Sequence, residues 1–122
     1  MKDLSIIDNF LDNREFRNYI VSILPKFGFE NITIDDTRIS DNDIINDNDI
    51  KAYKNDKRYT IQTYLNQDIT KNEIAETITD MLKEKVSCAV IVTNRNADKD
   101  VIAWALENGI DIIDREILCH VI

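Results

Sequence analysis

Six residues constrain the fold more than any others. Cys88-Ala89-Val90-Ile91-Val92-Thr93 is a continuous apolar run closed by a threonine. A strand that is apolar at every position has no face to offer water, so it must be covered on both sides. Its neighbours supply the cover. Before it, Thr70-Lys71-Asn72-Glu73 reads as a capping box, and Ile74, Ile78, Met81 and Leu82 follow at helical spacing, with Lys85 at the solvent edge. After it, Asn96 or Asp98 opens a second helix carried by Val101, Ile102, Ala105 and Leu106 and closed by Gly109. Ile110-Asp111-Ile112-Ile113 then reads as a short strand. Strands alternating with helices make a parallel sheet with right-handed crossovers. The expected class is α/β, with 88–93 as a central strand, Val90 and Val92 in one layer and Ala89 and Ile91 in the other.

The first half of the chain feeds that sheet differently. Residues 1–12 read as a lead whose apolar positions can form a helical turn, and residues 13–122 as a single domain. Asp12 is an N-cap candidate with Glu15 three residues on. Phe16, Tyr19, Ile20, Ile23, Leu24 and Phe27 recur at helical spacing. Pro25 kinks or stops that helix, and Gly28 is its natural C-cap. Phe29 to Ile34 reads as a short strand, and Asp35 to Asn48 as a polar loop or ragged strand. Asp49 to Tyr64 reads as a hairpin with a polar turn over Lys54–Arg58. One face of its first arm carries Asp49, Lys51 and Tyr53, and one face of its second carries Thr60, Gln62 and Tyr64. The tail from Asp114 adds one more turn or strand. The element order is αβββαβαβ, a mixed sheet with helices on both faces.

Charge and cysteine content narrow the chemistry. Fifteen Lys and Arg against 23 Asp and Glu give a net charge of −8, which argues against strong non-specific attraction to nucleic acid. Asp35, Asp36, Asp41, Asp43, Asp47 and Asp49 lie within fifteen residues with only Arg38 among them, a concentration that a metal ion would partly neutralise. The spacing lacks the Gly and closing Glu of a calcium loop. Two Cys and one His are too few for a structural zinc site. Cys88 reads as a buried small hydrophobe. Cys119 and His120, taken as neighbours in an extended segment, point in opposite directions and make no nucleophile pair. No apolar run is long enough to span a membrane and no charged-then-apolar leader is present, so the expected location is the cytoplasm.

An acidic residue opening one strand, followed by a polar pair two residues apart on the next, resembles the site of metal-dependent PD-(D/E)XK nucleases. The chain most resembles the Mrr-type restriction endonucleases, over roughly Asn13 to Leu118. Phe27-Gly28-Phe29 matches the Gly-aromatic step after the family's first helix. Val92-Thr93 matches the close of its apolar strand, and Gly109-Ile110-Asp111-Ile112-Ile113-Asp114 matches its last strand. In the family an Asp at position 49 is followed by Gln-x-Lys; here the second motif is Gln62-Thr63-Tyr64. Two other departures stand beside the missing Lys. Asp47-Asn48 replaces a Gly-rich approach, and Arg17 falls near a place where the first helix often carries an acid, with Glu15 close by.

The resemblance implies a Mg²⁺-dependent DNA phosphodiesterase site with Asp49 and Gln62 as metal ligands and Tyr64 in the slot of the catalytic Lys. Gln62 adds no negative charge, and a phenol supplies no positive one. Lys51, on the face of Asp49, is a candidate to replace the lost cation. Lys54, Lys57, Arg58 and Lys71 are the candidate DNA contacts. The expected partners are DNA, bound weakly and in a salt-dependent way, and a second copy or a companion protein. Three functions follow: a nuclease-fold domain that engages DNA with impaired or lost cleavage, an active Mg²⁺-dependent endonuclease with a rearranged site, and a non-catalytic protein-interaction scaffold. Taken alone, Asp49 is more often a turn or strand-edge residue than a ligand, Gln62 reads equally as a sheet-edge tie, and Tyr64 is more often a half-buried strand aromatic than a catalytic group.

Overall fold

A computed structural model of the chain describes residues 8–35 and 49–121, with the side chains of Asp35 and Asp49 outside that description. Helix α1 (Asn13–Ile23) is capped by Asp12, whose carboxylate accepts from the Glu15 N–H at 2.8 Å. Pro25 ends it as expected. The chain tightens into a 3₁₀ turn, Leu24–Phe27, and Gly28 turns it out at φ 92°. Strands β1 (Glu30–Asp35), β2 (Asp49–Lys54) and β3 (Lys57–Tyr64) follow. Helix α2 (Lys71–Glu84) begins at Thr70 with a complete capping box. Then come β4 (Cys88–Thr93), α3 (Lys99–Glu107), β5 (Ile110–Ile113) and α4 (Arg115–Val121).

The five strands lie in sequence order, β1-β2-β3-β4-β5. The first two pairings are antiparallel and the last two parallel. Strand β4 is interior and its side chains divide as the apolar run requires. Val90 and Val92 join Phe16, Ile20, Leu24, Ile61 and Leu118 in one core, under α1 and α4. Ala89 and Ile91 join Ile74, Met81, Ala105 and Ile110 in the other, under α2 and α3. Both faces of the sheet are thereby covered, the arrangement a strand without a polar face needs.

Four local readings are corrected. The hairpin loop is two residues, Asn55 and Asp56 at φ 53° and 64°, so Lys54 and Lys57 are paired strand residues. Positive φ at both central positions is what a right-twisted hairpin demands, and Asn and Asp adopt it without a glycine. The tail is a helix. Asp114 caps it, accepting from the Ile117 N–H at 3.3 Å. Cys119 and His120 are therefore helical neighbours about 100° apart, and His120 Nδ1 lies 2.7 Å from the Glu116 carbonyl. Cys88 is half-buried at the mouth of β4, with its Sγ 3.8 Å from Ser87 Oγ. Asp98, one of the two caps read from the sequence, is the N-cap residue of α3 and makes no side-chain capping bond. The expected loop at 36–48, and residues 1–7 of the lead, lie outside the described residues.

Candidate active site

The polar alternation of β3 meets an acidic stripe on α2. Glu73, Glu76, Asp80 and Glu84 recur every three or four residues and so share one side of the helix. Along β3 the residues Arg58, Thr60, Gln62 and Tyr64 share one face. The two rows pair off in antiparallel order. Arg58 Nη2 donates to the Glu84 carbonyl oxygen and lies 3.3 Å from its carboxylate. Gln62 Nε2 donates to Asp80 Oδ2 at 3.0 Å. Tyr64 is hydrogen-bonded to Thr77 and lies in the field of Glu76, Glu73 and Asp80. Past the end of β3, Gln67 Nε2 donates to Glu73 Oε2 at 3.2 Å.

Strand β2 approaches from the other side. Its register against β3 runs from Lys54↔Lys57 to Ile50↔Ile61; one further step sets position 49 across from position 62. Thr63 and Tyr64 extend beyond the first residue of β2. At this end a cleft of about 470 Å³ is lined by Gln62, Thr63, Tyr64, Glu76 and Asp80, with Asn13 of α1 at its margin. The Thr63 hydroxyl, on the opposite face of β3, is buried with no hydrogen-bond partner among the described residues.

Electrostatics at the cleft are one-sided. Burial pushes the Tyr64 phenol well above its ordinary value, and the carboxylate of Glu76 pushes it further; the Thr77 hydrogen bond opposes this, and Glu73 and Asp80 add to the rise. The phenol is neutral at any physiological pH. Glu73 behaves in the opposite way. Its burial raises the carboxyl pKa, but bonds from Thr70 Oγ1 and the Thr70 N–H, both 2.6 Å, together with the Gln67 amide, hold it below the ordinary value. It is ionised, held by Thr70 and Gln67.

The basic residues singled out in the sequence are dispersed. Lys51 lies 3.4 Å from Glu84, which it shares with Arg58. Lys54 stands over the Phe29 ring at 5.3 Å and Lys57 is exposed at the hairpin. Lys71 is exposed in the first turn of α2, beside the cleft end of β3. Arg17 on α1 is 4% exposed. Among the described residues, no three His, Cys, Asp or Glu side chains are grouped so as to hold a metal ion. The oxygen donors of Asp80, Glu76 and Gln62 suit a hard cation in kind. By themselves they fall short in charge.

The mixed sheet, the covered β4 and the polar pair at the end of β3 fit one family, and a restriction endonuclease family model, Mrr, matches residues 8–122. The chain belongs to the Mrr restriction endonuclease family. No curated protein matches it. At the position where the resemblance read from the sequence expects the family's lysine, the chain carries Tyr64. The carboxylates of Asp80 and Glu76 were missed, because an acidic row on a helix reads as a solvated face. The usable signal was its match in period to the polar row of β3. No helix among the described residues is long and apolar enough to cross a membrane.

Proposed function

We propose that this Mrr-family domain engages DNA and cleaves its phosphodiesters poorly or not at all. The observation that carries the reading is the state of position 64. Hydrolysis builds negative charge on the phosphate, and the family answers it with an ammonium. Tyr64 offers a neutral phenol whose ionisation is suppressed by burial and by Glu76. Its hydroxyl can donate one hydrogen bond and carries no charge.

Asp49 is assigned as the anchoring metal ligand and Gln62 as a neutral one, through its amide oxygen. When bound, Mg²⁺ polarises the phosphate and acidifies the attacking water. Asp80 holds the Gln62 amide in place and adds negative charge beside it. Without a cation, Asp80 and Glu76 repel a phosphate. Lys51 is a poor replacement for the lost lysine, since Glu84 already holds it at 3.4 Å. This weighs against a rearranged active site. DNA as the partner follows from family membership, and a metal ion is what would let it approach this acidic wall.

Two measurements test the reading. Supercoiled plasmid incubated with Mg²⁺ or Mn²⁺ should remain almost uncut, and a duplex should shift at low salt more strongly with divalent cation than without. Efficient cleavage lost in Asp49→Ala would sink the impaired-enzyme reading. No shift under any condition would leave the protein-interaction scaffold.

A further inference from the structure

Strands β3, β4 and β5 are parallel, so the loops that leave them emerge at the end of the sheet that holds Gln62 and Tyr64. Two arginines stand at that end, one on the loop after β4 and one at the first position of α4. Arg95 follows β4 and Arg115 follows β5. With Asn66, Asn94 and Asn96 they line a polar recess of about 370 Å³. The hairpin cations lie at the opposite end. Lys57 is about 17 Å along the strand from Gln62, at roughly 3.3 Å per residue.

The recess is built, and its arginines are held. Asn94 is 3% exposed. Its Nδ2 donates to Asn66 Oδ1 at 2.9 Å and its Oδ1 accepts from the Asn66 N–H at 2.7 Å. That double bond pair fixes the spacing of the loops after β3 and β4. Arg115 Nη1 donates to the Asn94 carbonyl at 3.4 Å. Both its terminal nitrogens grip Asp8, at 2.6 and 3.0 Å. Arg95 Nη1 reaches Asp68 Oδ1 at 3.5 Å. The two aspartate side chains are 54% and 74% exposed. A two-pronged guanidinium grip serves phosphate as well as carboxylate, and exposed ion pairs are weak enough to exchange.

We propose that Arg95 and Arg115 form a clamp for the phosphodiester backbone of DNA laid across this end of the sheet, with Asp8 and Asp68 occupying the guanidiniums until DNA displaces them. The clamp rests on the reading of the chain as a DNA-engaging domain. It adds two contacts outside the hairpin, and it makes the aspartates a built-in brake on affinity.

The test is duplex binding by the full chain across a salt series, with side-chain NMR of the arginine Nε–H groups. Arg95→Ala combined with Arg115→Ala should flatten the slope of log affinity against log salt by about 2, near one unit per lost phosphate contact. Arg115→Lys keeps the charge and loses the fork. It should weaken binding while Arg95 still responds, and it carries the test if the double variant does not fold. Asp8→Asn should tighten binding by up to about fivefold, the scale of an exposed ion pair. Duplex should shift both arginine resonances. Duplex binding with an unchanged salt slope in the double variant overturns the clamp and leaves the functional reading intact. Arginine shifts with inorganic phosphate and none with duplex overturn it in favour of a free-anion site. No duplex binding by wild type or by Asp8→Asn with Asp68→Asn overturns both.

Discussion

The amide of Gln62 on β3 donates to the carboxylate of Asp80 on α2 at 3.0 Å. This bond makes glutamine, rather than glutamate, the residue that fits position 62 in the metal-free fold. Gln62→Glu would set two carboxylates against each other at that distance. The expected cost is about 1–3 kcal/mol, a lost hydrogen bond and an uncompensated buried acceptor. One carboxyl of the pair would be raised above its unfolded value, so stability should be regained as pH falls. Millimolar Mn²⁺ should restore it as well, by binding the folded state. Thermal melts with and without Mn²⁺ check this. A variant as stable as wild type and indifferent to Mn²⁺ would show that the Asp80 contact does not govern the position.

Tyr64 makes a prediction about alkaline stability. Its folded-state pKa is raised above the ordinary 10.0, first by burial and then by Glu76. The folded state therefore keeps a proton that the unfolded state loses. Stability from this residue is fully present below pH 10 and is lost as pH rises through the folded value. Tyr64→Phe should remove that part of the alkaline loss. Urea melts of both proteins at pH 8 and above pH 10 decide it; equal slopes would mean that Tyr64 ionises in the fold as it does in water.

The two glycines separate a conformational requirement from a packing one. Gly28 has φ 92°, and an added Cβ would meet the flexible end of Lys54 at 3.5 Å. Gly28→Ala should cost about 1–2 kcal/mol, the strain of a left-handed alanine. Gly109 has φ 78°, and a Cβ there would lie 2.5 Å from the Ser87 carbonyl oxygen. That oxygen is backbone at the entry to β4 and cannot swing away. Gly109→Ala should fall at the top of the usual single-mutation range, about 3 kcal/mol or more. Chemical denaturation of the two variants tests the order.

Much of this architecture was legible because the deciding signals are local. The apolar run at 88–93 requires cover on two faces, and Thr70 with Glu73 marks the start of α2 without reference to anything distant. The hairpin turn was read too long because Lys54 and Lys57 look like loop residues, whereas Asn55 and Asp56 reach positive φ without a glycine. Helix α4 had its signal in Asp114, which caps the Ile117 N–H, but seven residues give too little periodicity to reveal it. The wall of Glu76 and Asp80 was hidden for a different reason. Its meaning depends on which strand lies under the helix, and that is a tertiary fact. Alternation along β3 set Tyr64 on the face of Gln62, whereas its reading as the slot of a lysine came only from the resemblance to the Mrr family.

The last prediction concerns catalysis. Strand alternation puts residue 64 on the face of Gln62, so a lysine there would stand in the field of Glu76, Glu73 and Asp80, the carboxylates that now act on the phenol. These would hold the ammonium charged and orient it. Removing one preorganised charge-stabilising donor from a hydrolytic site typically costs about 10²–10³ in rate, and restoring it should recover a gain of that order. Tyr64→Lys with Gln62→Glu should therefore raise plasmid nicking in Mg²⁺ or Mn²⁺ above that of the wild-type chain. The added ammonium should also relieve the carboxylate repulsion, so the double variant should melt higher than Gln62→Glu alone. Asp49→Ala in that background should abolish the nicking while leaving the melt unchanged. No nicking by a double variant that folds and binds duplex would mean that the site lacks more than its lysine, and Arg17, buried on α1 where the family often carries an acid, is the next residue to exchange.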